Sequence, residues 1–319
     1  MVNKKGQRGL NYTKSAYIYL LPAIILMALF ILYPLLNTII TSFKYNYRFL
    51  TGEFVSFSVR HYADIFKDKV FLRAMINTAV IGFVFVPCSM ILSLAAAMGL
   101  NRVKKLQGLL TTLYYLPQVT NVIAAGFVFA LIFNNYYGLF NTVLGWFGVD
   151  PVAWISGKGI AKDPALYTQS YFRCMFVLFC YQMWSGLSLK VLLFLGGLRS
   201  INPQYYQVAD IDGISKWKVF TKITLPLLSP TTLYIYITST ITAFKAYSAV
   251  IALFGDKFGP AGDNSKMMIT MVGYIMDKLG NYIKPGAVSM ASAGAVILFV
   301  MIMILTGIQM KVTDRSVHY

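Results

Sequence analysis

Six long apolar runs, at 17–40, 76–100, 113–133, 174–195, 231–253 and 287–310, constrain this chain more than any other feature. Each is close to the ~20 helical residues that cross ~30 Å of hydrocarbon at about 1.5 Å per residue. A bilayer core offers the backbone no hydrogen-bond partner, so such runs span as helices. Charged residues make up 12% of the chain and hydrophobic residues 57%, whereas a soluble domain carries about a quarter charged residues. The expectation is an all-α integral membrane protein with six transmembrane helices and both termini on one side. The first run has 24 residues, longer than the roughly 7–15 of a secretory leader, and is read as a retained span.

The net charge of +17 does not point to nucleic acid, because a nucleic-acid binder gathers its basic residues on one solvated face. Here they form short clusters between apolar runs: Lys4, Lys5, Arg8 and Lys14 before the first, Arg102, Lys104 and Lys105 after the second, and Arg199, Lys216, Lys218 and Lys222 after the fourth. The positive-inside rule places these segments, and with them both termini, in the cytoplasm. The opposite connections, 41–75, 134–173 and 254–286, are longer, and Glu53, Asp64, Asp68, Asp150, Asp163, Asp256, Asp263 and Asp277 dilute their charge. Residues 1–16 read as a basic cytoplasmic tail and 17–319 as one transmembrane domain. Trp146 and Trp154 suit an interfacial belt.

Several activities are disfavoured. No GxxxxGK[ST] string occurs, and Gly157-Lys158-Gly159 lacks the loop length and hydroxyl of a phosphate-binding loop, so the chain is not expected to hydrolyse ATP. Cys88, Cys174 and Cys180 lie in apolar runs without CxxC spacing and read as small core residues, not metal ligands. His61 and His318 sit far apart, in a loop and a tail, and form no catalytic constellation. All eleven acids lie outside the six runs, which weighs against a secondary carrier or facilitator driven by a titrating intramembrane carboxylate.

The most ordered signals fall between the fourth and fifth runs, in SINPQYYQVADIDGISKWKVFTKITLPLLSP, residues 200–230. Asn202 is a good N-cap with Pro203 behind it, 204–211 is helix-compatible, and Gly213 can take a left-handed stop. Ser215 can cap a second helix in which Ile214, Trp217, Phe220 and Ile223 recur as an apolar stripe, until Leu225-Pro226 ends it.

Gln207-Val208-Ala209-Asp210-Ile211-Asp212-Gly213, followed by Phe220, Ile223 and Leu225-Pro226, resembles the EAA loop of binding-protein-dependent ABC importer permeases. The departures are Gln207 where that family usually has Glu, and Val208 and Ile214 where it usually has Ala. The resemblance implies a cytoplasmic coupling helix, within 200–228, that docks on an ATPase subunit through Gln207, Ala209, Asp212, Gly213, Trp217 and Phe220. Tyr115-Leu116-Pro117 and the stretch from Phe133-Asn134 through Gly138 to Asn141 are similar to the sugar-permease branch, as are Ala243-Phe244-Lys245-Ala246-Tyr247, Gly259-Pro260 and the tail from Thr313 to Tyr319. That branch implies a permease subunit, not an enzyme, in a bacterial inner or plasma membrane, importing a sugar or oligosaccharide by alternating access. The implied partners are a second related permease, two cytoplasmic ATPase subunits and an extracytoplasmic substrate-binding protein. ATP and magnesium would be bound by the ATPases, leaving no cofactor in this chain. Glycerol phosphate or an acidic oligosaccharide is an alternative cargo within the same family.

Lys245 falls about two thirds of the way across the fifth run at a 1.5 Å rise, where a cation asks for a reason. Either it lines a substrate path with Phe244 and Tyr247, aromatic faces stacking on sugar rings, or it snorkels to the outer surface. Tyr181, Trp184, Asn121 and Tyr236 are further candidates for that path, and packing is the plainer reading of each tyrosine. Lys190, near the cytoplasmic end of the fourth run, reads as a snorkelling lysine.

Overall fold

The computed structural model describes residues 12–103, 105–157, 163–260 and 262–314. The start of the basic tail with Lys4, Lys5 and Arg8, the residues Lys104, Lys158 and Gly159, and the chain's end from Arg315 lie outside them.

Among the described residues, four helices are long and apolar enough to cross a membrane unaided: α1 (Ala16–Phe43), then α3 (Lys69–Arg102), α7 (Pro164–Ser200) and α13 (Ala287–Val312). Two further spans are bent pairs. The run expected at 113–133 is α4 (Gln107–Val119) and α5 (Val122–Ile132), meeting at 98°, and the run at 231–253 is α10 (Ser229–Phe244) and α11 (Ser248–Phe254), meeting at 50°. Counting each pair as one span gives six, alternating between a loop side, where α3 and α7 end, and a hairpin side. On the hairpin side β1 (Lys44–Tyr45) and β2 (Ser56–Phe57) pair antiparallel, followed by α2 (Arg60–Lys67), and later by α6 (Leu139–Trp146) and α12 (Met271–Gly280).

Three wide, i→i+5 turns keep spans continuous where proline should break them. Tyr33 donates to Ala28, Val86 to Ile81 and Leu225 to Phe220, and each donor directly precedes a proline: Pro34, Pro87 or Pro226. Proline lacks an N–H and its ring clashes with the carbonyl four residues back. A widened turn carries that carbonyl aside, a usual reason for such bulges. Leu225-Pro226 therefore does not end the second arm of the loop, as the sequence suggests. Helix resumes at Leu225–Leu227 and runs on through Leu228 (φ −83°, ψ −5°) into α10.

The core has two parts. Towards the loop side Ala97 and Leu100 of α3 pack with Val191, Phe194 and Leu198 of α7 and Ile235 of α10. Towards the hairpin side Phe71, Leu178, Phe244 and Tyr274 join a larger cluster that includes Cys174, with Cys88 and Cys180 against its edge. The segment after α11 returns to α3, where Asn77 Nδ2 donates to the carbonyls of Met267 (3.0 Å) and Ile269 (2.7 Å). Asp68 caps α3 by accepting from the Val70 amide at 2.9 Å, and also meets the Tyr274 hydroxyl (3.0 Å) and Lys278 ammonium (3.3 Å). Burial would raise the Asp68 carboxyl, but these three donors outweigh it and hold it below the usual carboxylate range.

The motif from Phe133 to Asn141 forms a clasp. Buried Asn141 donates through Nδ2 to Val152 (3.0 Å) and Asn135 (3.2 Å), and its Oδ1 accepts from the Val152 amide (3.2 Å) and Trp154 Nε1 (2.9 Å). A Cβ at Gly138 would lie 2.6 Å from the Ile132 carbonyl, so the turn admits only glycine. Trp146 is 78% exposed. Trp154 is instead packed against Phe133, Phe140 and Phe176, because Asn141 satisfies its indole N–H away from the interface.

Candidate functional site: a cavity at the helix breaks and an exposed loop

Both breaks open onto one cavity of about 560 Å³, bounded by α3, the α4–α5 break, α7 and the α10–α11 break. Non-helical backbone at membrane depth is tolerated where it lines a cavity, and here several of its polar groups have partners. Asn121 Oδ1 accepts from the amides of Ile123 (2.9 Å) and Ala124 (3.1 Å), starting α5 in a new direction. The Tyr181 hydroxyl donates to the Val122 carbonyl at 3.0 Å. At the second break the Ala246 carbonyl accepts from Thr270 Oγ1 at 2.6 Å. The outer halves then pack on each other, Gly126 of α5 lying against the Ala252 side chain of α11, where a Cβ would collide.

Of the residues singled out in sequence, Lys245, Tyr247 and Tyr181 line this cavity. Lys245 is the C-cap of α10 and is exposed, so it stands at a break and not within a continuous helix. The other four lie outside the lining. Phe244 is fully buried, edge-on to Phe83 and filling the space that Gly82 leaves. Trp184 packs beside Phe129, Asn121 is spent on its cap, and half-buried Tyr236 packs into the core.

Sequence reading missed Gln118, Gln182, Thr238, Ser239, Thr242 and Lys190, all in the lining. Lys190 does not snorkel towards the loop side. Its Nζ donates to Ser89 Oγ at 2.5 Å and lies 3.5 Å from where a Cβ of Gly186 would be, one turn back along α7. Helical side chains lean towards the N-terminus, which here turns the ammonium inward, and that rule was the available signal.

The loop forms two arms. Asn202 Oδ1 accepts from the Gln204 amide at 3.0 Å and starts α8 (Gln204–Ile211). Gly213, at φ +63°, ends it: its amide bonds Asp210 O (3.2 Å) and the Ile214 amide bonds Ala209 O (3.0 Å), the paired bonds of a Schellman turn. The second arm is α9 (Lys216–Val219), with Ser215 in the capping position but making no side-chain cap bond. Tyr206 Oη and Thr224 Oγ1, 3.2 Å apart, tie the arms together. Ala209 is buried, whereas Gln207 and Asp212 are exposed. Trp217 stands 72% exposed with half-buried Phe220 beside it at 5.6 Å between ring centroids, and Ile211 is 84% exposed. The expected apolar stripe thus faces outward at its centre.

A fold of bent spans around a mid-depth cavity, with a capped two-arm loop outside it, defines a multi-pass membrane permease. The family described as binding-protein-dependent transport system inner membrane component matches residues 89–319, and the chain belongs to that family. It is 29% identical over 300 residues to a trehalose/maltose transport system permease of Thermococcus litoralis, covering 94% of this chain and 93% of that one. It is 27% identical to an arabinooligosaccharides transport system permease of Bacillus subtilis (97% and 92% covered) and 25% identical to an sn-glycerol-3-phosphate transport system permease of Agrobacterium fabrum (95% and 96%). Its fold is similar to a chain of a bacterial ABC transporter that imports the acidic polysaccharide alginate, with TM-score 0.74, 21% identity and 95% and 96% coverage.

Proposed function

We propose that this chain is one permease subunit of an ATP-driven importer that takes up a sugar or oligosaccharide by alternating access. The observation that carries this reading is the loop: a rigidly capped turn whose exposed Ile211 and Trp217 present apolar surface outside the spans. Such surface suits docking of a cytoplasmic ATPase, which would supply hydrolysis, with Gln207, Ala209, Asp212, Gly213 and Phe220 shaping the contact. The termini then lie in the cytoplasm. The cavity lies on the path of a solute handed over by an extracytoplasmic binding protein, with Lys245, Tyr247 and Tyr181 in its wall. Residues 17–34 of α1 are exposed throughout, which suits lipid and a second permease completing the pore. Sugar-transporting relatives support the cargo class.

Affinity purification of the tagged chain from its native membrane, followed by identification of what co-purifies and an ATPase assay with candidate sugars, tests the proposal. A second permease and an ATPase stimulated by sugar-loaded binding protein are expected. A lone chain that moves solute into liposomes without ATP would refute it and favour a self-sufficient carrier.

A further inference from the structure

The cavity wall holds two lysines, from different helices, and no carboxylate. Lys190 reaches it from α7 and Lys245 from the end of α10. All eleven acids of the chain lie elsewhere. Neither lysine is in an ion pair among the described residues, although four ion pairs form on the hairpin side.

The surroundings accommodate each cation without neutralising it. Ser89 spends its proton on the Val86 carbonyl (2.7 Å) and offers Lys190 an oxygen lone pair, a dipole and not a charge. A lysine ammonium has three donors, so two remain beyond the Ser89 bond. Lys245 follows the last turn of α10, where the helix carries a partial negative charge that favours a cation. Lys190 lies ten residues before the end of α7 at Ser200, about 15 Å along the axis at 1.5 Å per residue. It is also within the apolar run 174–195, and unpaired charge inside a span is costly and marks a path or ligand site. The remaining polar lining, Gln118, Gln182, Ser239, Thr242 and Tyr247, offers amide and hydroxyl groups that match sugar hydroxyls.

We infer that the cavity takes an anionic saccharide or polyol, its carboxylate or phosphate held between Lys190 and Lys245 while the neutral groups bind hydroxyls. This deepens the importer reading and rests on it.

The test uses the whole complex, purified with its native binding protein and reconstituted in liposomes, and measures ATP-dependent uptake of trigalacturonate, glycerol 3-phosphate and maltotriose. Uptake of one of the two anions in preference to maltotriose is expected, and which anion is taken distinguishes carboxylate from phosphate. Lys190→Met and Lys245→Met should each raise the half-saturating concentration of that anion tenfold or more, with Lys190→Arg recovering most of the loss. ATP-driven uptake of maltotriose alone, unchanged in both methionine variants, would overturn the inference and leave the importer standing. A lower melting temperature of the methionine variants with unchanged substrate preference would also overturn it, since the lysines would then pair with a carboxylate of the second permease. Absence of ATP-dependent uptake of any of the three would overturn the inference and leave the importer reading to the co-purification test.

Discussion

Ile211 separates docking from folding. Its side chain is 84% exposed at the end of α8, so truncating it removes little that supports the chain itself. If the loop seats in a cleft of an ATPase, Ile211→Ala removes three carbons from the buried contact. At about 0.8 kcal/mol per buried carbon group, that is roughly 2 kcal/mol, or about a 30-fold weaker complex. The measurement is titration of the purified ATPase against the permease in nanodiscs, with the melting temperature of the permease alone as control. Wild-type affinity in the variant would refute docking through this face. A melting point several degrees lower would refute the premise that Ile211 is free of the fold.

Gly213→Pro should uncouple transport while leaving insertion intact, because proline fixes φ near about −65° where the turn needs +63° and also deletes the amide bonded to Asp210; coupled uptake at the wild-type rate would refute this. Asn141→Ala leaves the Trp154 and Val152 N–H groups without their acceptor. At about 1–3 kcal/mol per buried unsatisfied group a loss of roughly 3 kcal/mol is expected, read as faster hydrogen exchange across 134–155. Acid should weaken the hairpin side in two steps. Burial lowers the His61 imidazole despite Asp64 and the Lys44 backbone, so the stability it contributes is complete above its unfolded pKa of ~6.5 and is lost as pH falls through the lower folded value. The depressed Asp68 carboxyl contributes in the same sense above its unfolded pKa of ~3.9. Melting curves from pH 7 to 3 test both, and Tyr274→Phe should move the second step to higher pH by deleting a donor to Asp68.

The spans and the loop were legible in the sequence because their signals are local. Apolar runs of about 20 residues have one physical outcome in a bilayer, and Asn202, Pro203 and Gly213 each act on the backbone within a turn of themselves. The breaks were harder to read: the local cap by Asn121 lies inside an apolar run that masks it, and the bend is also held by Tyr181 from α7, distant in the chain. Lys245 was visible as a cation inside a run, but its place at a helix end depends on the partner that Thr270 supplies to Ala246. Phe244, its neighbour, faces the core because Gly82 leaves room for a ring there. Leu225-Pro226 misled because proline is expected to stop a helix, and the wide turn before it cancels that effect.

The loop and the cavity are ends of the same two rods. One arm of the loop follows α7, which carries Lys190, after an extended step at Ile201. The other rises from Lys216 through Phe220–Thr224 into α10 and ends at Lys245, helical throughout except at Leu228. A displacement of the loop therefore reaches Lys245 through about 43 Å of helical backbone at 1.5 Å per residue, and Lys190 across the short non-helical step 201–203. Along the route to Lys245 the bonding pattern changes at the Phe220–Thr224 turn and again at Leu228, within nine residues. An alternating-access machine needs a ligand and an ATPase that each favour one of two arrangements. If the loop docks on an ATPase and the two lysines hold one anion, as proposed, closing or splaying the arms would change how well the lysines share it and so meet that need.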